Sequence, residues 1–210
     1  MANNKYYKAT CSRNGGRNTM KNNISQDYVD ELKILHDKKT FGTAARLPVR
    51  FIDLVEKNNL KSILDFGCGK GNATTAMREK WPDITVYSYD PVTSPIDLPE
   101  QVDIVYSSDV LEHVEPNEIK QTLKNLFNIS KYQYHYIACH LAKKSLSDGR
   151  NAHLIVENGD WWEDKFTQHL GDEWKITHSE TVTKVGKVKK PVNGSRRLEQ
   201  DKYLVILERS

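Results

Sequence analysis

The chain has 210 residues, a net charge of +3 and 38% hydrophobic residues, which suits one domain with a sizeable core rather than a disordered chain. No apolar run approaches the length of a membrane span, and the polar start MANNKYYKATCSRNGG lacks the apolar core of a signal peptide, so a cytoplasmic location with no membrane partner is expected. Cys11, Cys68 and Cys139 are too scattered for a disulfide framework or a zinc site.

Residues 1–23 are rich in Asn, Gly, Lys and Arg and are expected to form a flexible arm. Lys5, Lys8, Arg13, Arg17 and Lys21 make it basic, with no acidic residue among them. Residues 24–210 are expected to form one domain, with 24–60 a helical cap on a core that starts at 61. Ser25 can cap a helix whose apolar positions include Tyr28, Leu32 and Leu35. KKTFGTAARLP follows as a loop, in which Phe41-Gly42 is either an ordinary turn or a closure over a ligand. Pro48 suits the first turn of a second helix with Phe51, Leu54 and Val55 on one face.

The most informative stretch is ILDFGCGKG, Ile63 to Gly71. A strand over about 62–66 ends in Asp65 and Phe66, then Gly67, Gly69 and Gly71 alternate before a helix from about Asn72 to Lys80. Such a strand–turn–helix lets backbone approach a ligand closely. The third glycine comes one residue too early for a dinucleotide fingerprint, and Gly69-Lys70-Gly71 lacks the Ser or Thr of a P-loop. A second strand, Ile84 to Tyr89, ends in Asp90, whose carboxylate can accept both hydroxyls of a ribose. Pro91 then breaks the strand. The third strand is poorly marked, with only Ile96 to Leu98 between two prolines. A fourth, Ile104 to Tyr106, opens into Ser107, Ser108 and Asp109.

Pro116 opens a helix carrying Ile119, Leu123, Leu126 and Phe127. A fifth strand covers Tyr134 to His140, LAKKSLSDGRN is a polar connection, and Leu154 to Val156 reads as a short extra strand. Asp160 to Leu170 is a helix stopped by Gly171, with one of Trp161 and Trp162 facing the core and the other outward. Trp174 to Thr183 and Lys202 to Glu208 are two strands joined by a basic loop. Its stretch from Lys184 to Arg197 holds Lys184, Lys187, Lys189, Lys190, Arg196 and Arg197 and no acidic residue. Eleven of the 31 basic side chains sit in the two basic segments, so the rest of the chain is acidic on balance. The fold expected is α/β: a three-layer, mostly parallel sheet with an antiparallel C-terminal edge hairpin. Ligands of such a sheet bind beyond the C-terminal ends of its parallel strands, where the basic loop also emerges.

The D-x-G-x-G-x-G arrangement from Asp65, with Asp109-x-Leu-Glu-His113 downstream, resembles class I S-adenosylmethionine (SAM) dependent methyltransferases. The resemblance implies a seven-stranded Rossmann-like core under an N-terminal helical lid. It also implies SAM as cofactor, held by Asp65, Gly67, Cys68, Gly69, Gly71, Asp90, Pro91, Ser108 and Asp109. Catalysis needs alignment of a nucleophile with the sulfonium methyl and a base if the acceptor is a hydroxyl; His113, His140 and His153 are the candidates. Asp109-x-x-Glu112-His113 is similar to a Glu-x-x-Glu-His segment that can bind a divalent metal in some ubiquinone-pathway and small-RNA methyltransferases. A turn before Pro116 accounts for the same residues without a metal, and no metal is expected. The basic segments suit an anionic partner. The acceptor expected is therefore an oxygen or nitrogen on an anionic small molecule. A nucleic-acid methyltransferase is the alternative, although no Asn/Asp-Pro-Pro-Tyr/Phe motif follows strand four. A non-catalytic SAM-binding module is the further alternative.

Overall fold

The computed structural model describes residues 24–38, 41–43, 46–185 and 199–210. Within them the elements run α1 (Gln26–His36), α2 (Val49–Lys57), β1 (Ser62–Phe66), α3 (Asn72–Lys80), β2 (Thr85–Tyr89), β3 (Val102–Ser108), a 3-10 turn (Leu111–His113), α4 (Ile119–Ile129), β4 (Ser130–Ala138), α5 (Gly159–Thr167), β5 (Trp174–Val185) and β6 (Glu199–Arg209). The strands form one sheet in the order β2-β1-β3-β4-β6-β5. β2, β1, β3 and β4 are mutually parallel, and β6 is antiparallel to both β4 and β5. β5 therefore points the same way as β1, and its C-terminal end lies on the same edge of the sheet as theirs.

Alternation along the strands divides the core in two. Leu64, Val105, Tyr203, Val205 and Leu207 face α4 and α5, where they meet Leu123, Leu126, Trp162 and Phe166. Ile63, Ile104, Tyr106, Leu204 and Ile206 face α2 and α3, meeting Phe51, Val55, Ala73 and Met77. Each large apolar side chain buried this way contributes about 1.5–3 kcal/mol. The result is the expected three-layer α/β architecture with an antiparallel C-terminal edge.

Three expectations are corrected. Six strands are present among the described residues rather than seven. Ile96 to Leu98 forms none, because Pro95 and Pro99 flank it and remove ladder donors. β2 is consequently the edge. Leu154 to Val156 is not a strand either. Lastly, β3, β5 and β6 run longer than expected, while the strand expected over Tyr134 to His140 is shifted: β4 begins at Ser130 directly after α4, where the Ser130 hydroxyl donates to the Leu126 carbonyl to close the helix end, and it stops at Ala138, leaving His140 beyond it.

Other expectations hold. Ser25 caps α1, accepting from the Tyr28 N–H at 3.2 Å, and Tyr28, Leu32 and Leu35 are buried. Trp162 is fully buried while Trp161 is only partly so, its ring 4.8 Å from the Lys165 ammonium. The N-terminal arm, Lys187, Lys189, Lys190, Arg196, Arg197 and the Lys184 side chain lie outside the described residues. Among the described residues no helix is long and apolar enough to cross a membrane.

Candidate active site

A cavity of about 500 Å³ opens beyond the C-terminal ends of β1, β2, β3 and β4, and α1 forms its roof. Its floor is the glycine loop. Gly67 and Cys68 donate their N–H groups to the Tyr89 carbonyl at 2.7 and 2.9 Å, which ties the loop to the end of β2. Gly69 has φ +54°, and a Cβ on it would lie 2.7 Å from the Gly42 Cα. The Lys70 N–H also donates to the Gly42 carbonyl at 2.8 Å. The second glycine is thus needed for backbone-to-backbone contact between the loop and the segment after α1. Gly71 caps α3 with φ +75° and does not line the cavity.

Asp65 sits beneath the loop, 3% exposed, and its Oδ2 accepts from the Thr74 hydroxyl at 2.5 Å. Burial pushes its carboxyl up to about 6, and the Thr74 bond opposes that rise. Cys68 is buried, and desolvation raises its thiol to about 12, so it is no nucleophile at neutral pH. Asp90 is buried beside it. Oδ1 accepts the N–H groups of Val92 and Thr93 at 2.9 and 3.0 Å, and Oδ2 accepts that of Gly69 at 3.1 Å. Pro91 lines the same end of the cavity.

The roof is held at several points. The Tyr28 hydroxyl donates to the His113 carbonyl at 2.6 Å. Ser25 donates from backbone and side chain to the Glu115 carboxylate at 2.9 and 2.8 Å, and the Ser147 N–H donates to Glu31 at 2.7 Å. Tyr28, Leu32 and Leu35 pack on Leu146 and Ala152 in a third apolar cluster. His36, at the end of α1, points inward next to Asp90.

At the far end stand Ser108, Asp109, His113, His140 and His153 with Lys202; Lys143 and Lys144 also line the cavity, the Lys144 ammonium 5.3 Å from the Phe41 ring. Asp109 takes the left-handed conformation (φ +57°), and its Oδ1 pairs with the Lys202 ammonium, which lies 4.8 Å from the Tyr136 ring. His113 Nδ1 lies 2.7 Å from the Ala152 carbonyl, and His153 Nδ1 bonds the His140 carbonyl. A carbonyl only accepts, so both rings carry their proton on Nδ1 and keep the Nε2 lone pair. Burial, then the neighbouring His153, pushes His113 down to about 4, so it is neutral at physiological pH. The two rings meet edge to face at 4.8 Å. Behind them Glu112 is fully buried. Its Oε1 accepts from the Ala138 N–H at 3.1 Å, and its Oε2 has no partner. One ligand atom each from Glu112, His113 and His153 lie within 4.8 Å of one another. Such a mixed donor set, with each imidazole oriented through its other nitrogen, fits a divalent cation.

The structure therefore gathers in one cavity the expected cofactor-binding and catalytic residues except Gly71, with Glu112 behind its wall and the basic-loop residues outside the described ones. It adds Thr74, Lys202 and the inner face of α1, including His36. His36 falls four residues after Leu32 and eight after Tyr28, so the helical period carried the signal for it.

Residues 36–179 match the family profile described as "Methyltransferase domain". A comparison with curated proteins found no match. Among solved structures, the chain is similar to the Burkholderia thailandensis 1,6-didemethyltoxoflavin-N1-methyltransferase, solved with that acceptor and S-adenosylhomocysteine (15% identity, TM-score 0.53, 88% of each chain covered). It is also similar to a Clostridium acetobutylicum SAM-dependent methyltransferase (12% identity, TM-score 0.48, 86% of this chain and 99% of that one). For TehB of Haemophilus influenzae the figures are 14% identity and a TM-score of 0.48, over 82% of this chain and 65% of that longer one. At 15% identity the likeness to the Burkholderia enzyme speaks for the fold alone, and the family profile, which spans well over half of the chain, speaks for the lineage: this protein belongs to the methyltransferase-domain family and is a SAM-dependent methyltransferase.

Proposed function

We propose that the protein moves the methyl of SAM to an oxygen or nitrogen of an anionic small molecule held at the far end of the cavity. The observation that carries this is the roofed cavity of about 500 Å³. That volume lies in the range that encloses drug-sized ligands. SAM would occupy the glycine-loop end, leaving room beyond Asp109 for a compact acceptor. Lys143, Lys144 and Lys202 line the cavity beside the carboxylates of Asp65, Asp90, Asp109, Glu115 and Glu118; Lys202 pairs with Asp109, and Lys143 and Lys144 are the cations offered to a negative acceptor group. The basic loop supports the same reading, because it leaves the C-terminal end of β5 on the cavity side of the sheet and carries Lys184, Lys187, Lys189, Lys190, Arg196 and Arg197.

Alignment is the main demand of methyl transfer, and the closed roof serves it by limiting acceptor poses and excluding water. His113 and His153 offer neutral imidazoles to take the acceptor proton, and His140 stands beside His153 at 5.5 Å between ring centroids. A divalent cation on Glu112, His113 and His153 would instead polarise the acceptor oxygen and make its proton easier to lose.

The test is to incubate the protein with methyl-labelled SAM and either anionic metabolites bearing hydroxyl or amine groups, or RNA and DNA, each with and without EDTA. Label in a small anionic acceptor is the expected result. Label in RNA, with salt-sensitive binding of the polymer, would favour the nucleic-acid alternative. SAM binding with no methylated product from any acceptor would leave a binding module. Loss of transfer in EDTA would assign the activation to a cation, and its persistence to the imidazoles.

A further inference from the structure

We propose that His36 is a cofactor-positioning residue: its imidazole takes one ribose hydroxyl of SAM while Asp90 takes the other, so that α1 closes on the cofactor it helps to recognise. This rests on the SAM-dependent reading of the cavity.

The inference starts from the acceptor capacity of Asp90. A carboxylate offers about four lone-pair sites. Val92 and Thr93 fill Oδ1, and Gly69 fills half of Oδ2. One site is left, on Oδ2. A ribose presents two neighbouring hydroxyls, so Asp90 cannot accept both without releasing a backbone N–H of the turn it holds together. The sequence expectation that Asp90 alone binds the diol therefore needs a second partner.

His36 stands where that partner is needed. Its Nε2 lies 3.8 Å from Asp90 Oδ2, beyond a direct hydrogen bond. Its side chain is only 8% exposed, and its Nδ1 is buried without a partner. The ring cannot easily turn away. Phe41 meets it edge-on at 4.9 Å. Burial lowers the His36 pKa, which keeps the imidazole neutral, with one N–H to donate and one lone pair to accept. A neutral ring of this kind suits a hydroxyl better than it suits the cationic end of SAM.

The test compares S-adenosylhomocysteine with its 2′-deoxy and 3′-deoxy analogues by titration calorimetry on the wild type, His36→Ala and His36→Asn. For the wild type, removing either hydroxyl should weaken binding about tenfold, the scale of one hydrogen bond. His36→Ala should weaken the parent compound by a similar factor. It should leave unchanged the affinity for the analogue that lacks the hydroxyl bound by His36. His36→Asn, which keeps a polar group near Nδ1, should recover part of the loss. Equal weakening of all three ligands by His36→Ala would overturn the proposal, since a merely structural role predicts it. Were His36→Ala to unfold, the wild type still decides: tolerance of either deoxy analogue without loss would overturn the two-partner arrangement. A wild type that binds none of the three would instead count against the SAM reading itself.

Discussion

Asp65 is held 3% exposed at the mouth of the sheet, with the Thr74 hydroxyl on one oxygen and burial raising its carboxyl to about 6. A carboxylate kept in so costly a place has most to gain from a bound cation, and SAM brings an ammonium and a sulfonium. Binding the cofactor should then favour the ionised form and lower the carboxyl pKa. Below about pH 6 a proton must leave Asp65 as SAM binds, so affinity should fall by up to tenfold per pH unit as the pH drops from 6 toward 5. Asp65→Asn should bind weakly at pH 7.5 and lose this slope. Calorimetry of SAM at four pH values checks it, and a wild-type affinity flat through pH 6 would remove Asp65 from the cationic end. Asp65, Gly67 and Gly69 were legible because a strand end and its turn are local in sequence. Gly71 belongs to the same pattern but caps α3 and does not line the cavity. The helical period could place His36 on the inner face of α1, but not its proposed role, which depends on Asp90, 54 residues away, and on which lone pairs the turn has already used.

At the scale of elements, helix faces were the most legible feature. Tyr28, Leu32 and Leu35 are the buried stripe of α1, and Phe51 and Val55 that of α2. What that stripe packs on was not legible, because Leu146 and Ala152 come from a polar connection with no periodicity. Strand lengths were missed for a related reason. Ser130 and Gln133 in β4 are polar yet buried, satisfied by each other and by the Leu126 carbonyl, so an apolar run alone starts the strand too late. The docking of α1 gives an element-scale prediction. Tyr28→Phe removes the bond to the His113 carbonyl while keeping the ring in its apolar cluster, at a cost of about 1 kcal/mol. Hydrogen exchange of the α1 amides should quicken several-fold, with exchange in β1 and β3 unchanged. Bound S-adenosylhomocysteine should slow exchange in α1 in both proteins. Uniform acceleration across the sheet would mean that Tyr28 supports the whole fold and not the roof.

For the whole molecule, the order of elements along the chain was enough to anticipate a parallel sheet with an antiparallel edge, since strands alternating with helices admit few other packings. The polar interior of that sheet was not anticipated. His135 is fully buried in β4, and its Nδ1 and Nε2 lie 2.8 and 2.7 Å from the Ser107 hydroxyl and the Gln133 amide oxygen. The amide oxygen accepts, so the proton is on Nε2, and the ring is neutral with both nitrogens satisfied. Burial pushes its pKa down to about 3, against about 6.5 for an ordinary histidine. Between these values the unfolded chain binds a proton that the folded chain refuses. The stability His135 contributes is therefore complete above pH 6.5 and is lost as the pH falls, by about 1.4 kcal/mol per unit. Other buried groups titrate over the same range, so the measurement must be a difference. His135→Gln can keep a donor and an acceptor in the chain but does not titrate. In urea unfolding, the wild type should lose stability relative to His135→Gln by roughly 2–3 kcal/mol between pH 6.5 and pH 4.5. That is a large share of the 5–15 kcal/mol typical of a domain. A difference that stays constant over this range would show that His135 accepts its proton in the folded state, and that the Ser107–His135–Gln133 chain opens to let it in.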